Sequence, residues 1–70
     1  MIERIRALTG ADCIWNEMRG KIVDVFPIVV DYSEDIEDSI NFSKFRIRLE
    51  FGLTVTMPGS RIASIKRARS

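Results

Sequence analysis

"FRIRLEFGLTVTMPGSRI" (residues 45–62) decides the fold. Phe45, Ile47 and Leu49 alternate with Arg46, Arg48 and Glu50, and Lys44 extends the polar set by one step. A period of two places the apolar residues on one side of a strand and the charged ones on the other. Phe51-Gly52 follows as the tip of a tight turn, glycine supplying the positive φ that such turns need. The chain then returns with Leu53, Val55 and Met57 on one face and Thr54 and Thr56 on the other. This predicts a hairpin. Pro58-Gly59-Ser60 ends its second strand and suits a single 3₁₀ turn. Ile62 and Ile65 then close the core from a short last strand.

Upstream, "KIVDVFPIVVDY" (residues 21–32) is rich in Val and Ile, as strands are. Pro27 cannot donate to a ladder, so the expected strand bends there and continues to Tyr32. Residues 33–41, "SEDIEDSIN", read as part of an acidic loop spanning 31–41, with Ile36 and Ile40 pinning its underside. Ile2, Ile5 and Leu8 recur at intervals of three, which predicts a short helical segment within residues 1–10, ended near Gly10. "TGADCIWNEMRG" (residues 9–20) supports two readings. As a helix it has Thr9 as N-cap and Gly20 as its stop. As a strand, "DCIWN" is a short apolar piece followed by a loop. The order of the neighbouring elements favours the strand.

The chain has 70 residues and forms one domain. Chains this short bury roughly 60% of their unfolded surface, so the core is small. Apolar residues make up 46%, too many for a disordered segment. The formal net charge is only +1, yet the charges are segregated. Asp31, Glu34, Asp35, Glu37 and Asp38 crowd together, whereas the stretch from Arg61 to the basic tail 67–70 holds no acid. There is no histidine, so Ser-His and Cys-His nucleophiles are absent and a zinc site lacks its usual ligands. Cys13 has no partner, which excludes an intramolecular disulfide and suits a reducing cytoplasm. Beside Ile14 and Trp15 it reads as a small buried apolar residue. The acidic stretch lacks the spacing and glycine of a calcium loop. No apolar run is long enough for a membrane helix. The expectation is a soluble intracellular protein that is not an enzyme and carries no cofactor or metal.

"GKIVDV", "FRIRLEFG", "LTVTMP" and "SRIASIK" follow one another in an order that resembles the SH3-like small barrels of bacteria and phages. The resemblance covers residues 11–66 and rests on punctuation and periodicity. It implies a mainly β fold: a five-stranded antiparallel, partly open barrel preceded by a short N-terminal helical turn. It carries over no catalytic residue, and barrels of this shape host many functions.

Binding is therefore the expected activity. Lys44, Arg46 and Arg48 project from one strand face about 6–7 Å apart, close to the phosphate repeat of a nucleic-acid strand. Arg61 and Lys66 extend the set if the last strand lies nearby. Phe51 at the turn tip can stack on a base, as can Tyr32. These residues form the candidate nucleic-acid surface. Against it stands the plain alternative that the outer face of an antiparallel sheet is simply solvated. The rival functional reading is a protein-binding adaptor or phage-encoded inhibitor acting through Asp31, Glu34, Asp35, Glu37 and Asp38. A subunit of a homo-oligomeric assembly is the third. Trp15 and Phe26 would enter such an interface if they are not core residues.

Overall fold

Residues 9–20 resolve in favour of the strand. In the structure, a computed structural model that describes residues 2–30 and 36–66, Asp12–Trp15 is a strand, β1. Ala11 and Cys13 are buried while Asp12 and Ile14 face out. A two-residue turn, Asn16-Glu17, leads directly into β2, Met18–Phe26, without the longer loop the sequence suggested. Both turn residues have positive φ, 51° and 64°. That conformation matches the right-handed twist of a hairpin, and asparagine tolerates it far better than glutamate.

Before β1, helix α1 (Ile2–Arg6) presents Ile5 and, just past its end, Leu8 to the core. Ile2, expected on the same side, is exposed. β3 (Lys44–Leu49) shows the predicted alternation without interruption, Phe45, Ile47 and Leu49 all fully buried. It pairs with β4 (Thr54–Pro58) through the turn at Glu50-Phe51-Gly52. There the amide of Gly52, at φ 95°, donates to the Leu49 carbonyl, and the Leu49 amide donates to the Leu53 carbonyl. Leu53 falls before β4 and is 53% exposed, so only Val55 and Met57 of its expected face reach the interior. A 3₁₀ turn, Gly59–Arg61, then precedes the last strand, β5 (Ser64–Lys66).

The five strands form one antiparallel sheet in the order β4-β3-β2-β1-β5, and the sheet does not close. Ile5, Leu8, Cys13, Ile22, Val25, Ile40, Phe45, Ile47, Leu49 and Met57 make one core on its inner side. β2 carries a bulge between Ile22 and Asp24. Val23 and Asp24 both point outward, after which Val25 returns to the core and Phe26 to the surface. A bulge of this kind bends the strand and sharpens its twist.

Two expectations fail between β2 and β3. The strand does not run through Pro27; it ends at Phe26, and residues 27–30 leave the sheet. Their backbone is held by hydroxyls instead. Ile28 N–H donates to Ser43 Oγ at 2.8 Å and Val30 N–H to Ser39 Oγ at 3.1 Å, both serines being fully buried. Ser43 Oγ in turn donates to the Ser39 carbonyl at 2.7 Å. Nor is the connection a loop throughout: Ile36–Phe42 is a helix, α2, with Glu37 and Asp38 in its first turn, where negative charge suits the helix dipole. Ile40 is buried and Ile36 packs against the core, as their spacing of four demands. The end of α2 lies against Gly59, whose amide donates to the Ser43 carbonyl. A Cβ at Gly59 would collide with the Ile40 carbonyl, so this approach of two backbones requires glycine.

Candidate nucleic-acid interface

The outward residues of β3 stand as predicted. Lys44, Arg46 and Arg48 are all exposed on the face opposite the core. Strand register decides what surrounds them. Lys44 lies between Phe26 and Pro58, Arg46 between Asp24 and Thr56, and Arg48 between Lys21 and Thr54. Residues directly opposite in an antiparallel pair share a face, with Cβ atoms about 4.5–5.5 Å apart. The β3 stripe therefore gains Lys21 as a close neighbour of Arg48.

Two carboxylates share this surface. Asp24 approaches Arg46 at 3.9 Å, and Asp12 approaches Lys21 at 4.0 Å, all four side chains being about half exposed or more. Exposed pairs at these distances contribute on the order of 0–1 kcal/mol. Lys44 and Arg48 stand outside these two pairs. The Arg46 guanidinium also lies over the Phe26 ring, 5.4 Å from its centroid, which holds the cation near the C-terminal end of β2. Glu50 has left the strand for the turn, its amide donating to the Arg19 carbonyl. Asp12, Arg19, Lys21, Val23, Arg48 and Glu50 border a shallow depression across β1, β2 and β3.

The other predicted residues separate from this face. Phe51 is 63% exposed at the hairpin tip, one turn beyond Arg48. Arg61 belongs to the 3₁₀ turn that packs against α2, so it does not extend the β3 stripe. Lys66 has its backbone opposite Asp12 on β5, at the far edge of the sheet. Glu37 and Asp38 sit on α2, while Asp31, Glu34 and Asp35 lie outside the described residues, as do Tyr32 and the tail 67–70. Sequence reasoning missed Lys21, Asp24 and the exposure of Phe26. Only the register between β2 and β3, including the bulge, places them.

Cys13 is buried between Gly20 and Ile65. Burial pushes its thiol up from the ordinary range, and the Asp12 carboxylate adds to this, so the thiolate is disfavoured. Among the described residues no helix is long and apolar enough to cross a membrane. No protein-family model, curated protein or solved structure matches the chain.

Proposed function

We propose that this chain is a non-catalytic binding module of the SH3-like kind that holds a nucleic-acid backbone on the outer face of β2 and β3. The sheet order, with a 3₁₀ turn between β4 and β5, supports the SH3-like reading. The single observation that carries the binding reading is Lys21 directly opposite Arg48, with Arg46 and Lys44 further along the same strand. Like charges opposite one another on a sheet destabilise it. A phosphate between them turns that repulsion into two attractions. Phe26 and Phe51, at opposite ends of the stripe, offer rings on which bases can stack. The buried, unpaired Cys13 suits a reducing cytoplasm. Of the acidic residues, the described Glu37 and Asp38 lie in the first turn of α2, where the helix dipole accounts for their placing.

Fluorescence anisotropy with single- and double-stranded DNA and RNA tests the proposal. Neutralising about four phosphates of a duplex gives a salt slope near −0.9 per phosphate, a loss on the order of a hundred-fold between 50 and 200 mM salt. Arg46→Glu with Arg48→Glu abolishes binding, Lys21→Glu weakens it, and Asp24→Asn strengthens it. Replacing Glu37 and Asp38 with Gln and Asn leaves it intact. No binding at low salt, or binding indifferent to the arginine reversals, refutes the proposal.

A further inference from the structure

β4 is an edge strand, and among the described residues nothing pairs with its far side. The Leu49 amide bonds the Leu53 carbonyl, and the Gly59 amide bonds the Ser43 carbonyl. Hydrogen-bonded pairs in an antiparallel ladder recur at every second residue. Val55 and Met57 therefore turn their backbone groups toward β3, and Thr54 and Thr56 turn theirs away from it. Pro58 has the same outward parity as the threonines, so its missing N–H costs the β3–β4 ladder nothing. What remains is a short row of alternating donors and acceptors, which another extended strand satisfies best.

Exposed edges are usually guarded by charge, by proline in the strand or by a covering segment. Here Leu53-Thr54-Val55-Thr56-Met57 carries no charge, and proline comes only at the end of the strand. The other edge differs: β5 reaches Lys66 and the basic tail follows it in sequence, so two copies meeting there would set like charges together. The β4 edge also complements itself. An antiparallel dyad through Val55 puts Thr54 of each copy opposite Thr56 of the other, and these are the residues whose backbone groups point outward. The same register puts Leu53 opposite Met57 on the inner side. Leu53, half exposed in the single chain, would gain an apolar neighbour.

The geometry points to a second copy of this chain as the partner of β4, two sheets joining edge to edge about a dyad through Val55. The contact is small beside the roughly 1,200 Å² that stable interfaces bury, so association depends on concentration. The dyad stands perpendicular to the sheet and leaves both basic faces on the same side. Self-association does not depend on the nucleic-acid reading, and its test contains no nucleic acid.

Sedimentation equilibrium from micromolar to millimolar chain should show the mass rising from one chain to two. Thr54→Lys with Thr56→Lys sets lysines opposite one another across the dyad and should hold the protein monomeric. Thr54→Lys with Thr56→Glu sets each lysine opposite a glutamate and should restore the dimer. All four replaced side chains of a dimer face solvent on the outer side, and a far-UV spectrum like that of the parent reports that each variant folds. A parent that stays monomeric at millimolar concentration overturns the inference. So does a dimer unmoved by the double lysine variant, or one that the lysine–glutamate variant fails to restore.

Discussion

The β3–β4 hairpin and the described residues between β2 and β3, 27–30 and 36–43, are held to the molecule by different means. In the hairpin, backbone binds backbone at every second residue, and buried side chains alternate with exposed ones. Between β2 and β3, the amides of Ile28 and Val30 reach the hydroxyls of Ser43 and Ser39, and Gly59 admits the end of α2 by having no side chain. A ladder spreads its stability over many similar bonds. An anchorage of this second kind relies on single hydroxyls and one missing side chain, beside the buried Val30 and Ile40.

Substitutions that probe this contrast differ in size. Phe45→Ala should do the most damage, about 3–5 kcal/mol by urea denaturation, because a fully buried ring of the hairpin leaves a void beneath the sheet. Gly59→Ala should cost about 3 kcal/mol although it adds a single methyl group, since the obstacle is the backbone of α2, which cannot rotate aside. A loss below about 1 kcal/mol there would show that α2 is loosely seated. Ser43→Ala should cost about 2 kcal/mol by stripping the Ile28 amide of its acceptor, and amide exchange should quicken at Ile28 while the β3–β4 ladder stays protected. Equal acceleration in both regions would mean that they open as one unit. The smallest effect has the opposite sign. Glu17→Gly should stabilise the protein by up to about 1 kcal/mol, because the left-handed turn conformation suits glycine better than glutamate.

The same contrast explains what could be read beforehand. Lys44 to Leu49 announced their strand because ladder geometry imposes a period of two on burial, and burial selects residue type. The cationic stripe was legible for the same reason. Its neighbours were not: Lys21 and Asp24 acquire their positions from a register that a single strand does not contain. Past Pro27 the apolar run "IVV" invited a strand, but Ser39 and Ser43, spaced one helical turn apart, supply the acceptors and divert it. Ile36 and Ile40 carried the signal for α2, which the surrounding acids obscured. Phe26 looked like a core residue until the bulge changed the phase of its strand.

Val23, the supernumerary residue of that bulge, makes curvature a matter of chain length rather than of chemistry. Remove it and Ile22, Asp24, Val25 and Phe26 fall into ordinary in-and-out succession, every one keeping its present side. The inventory of buried and wetted groups would survive the deletion; the arc they follow would flatten. One omitted codon could thus reshape the platform on which Lys21, Arg46 and Arg48 are displayed while leaving each of them in place.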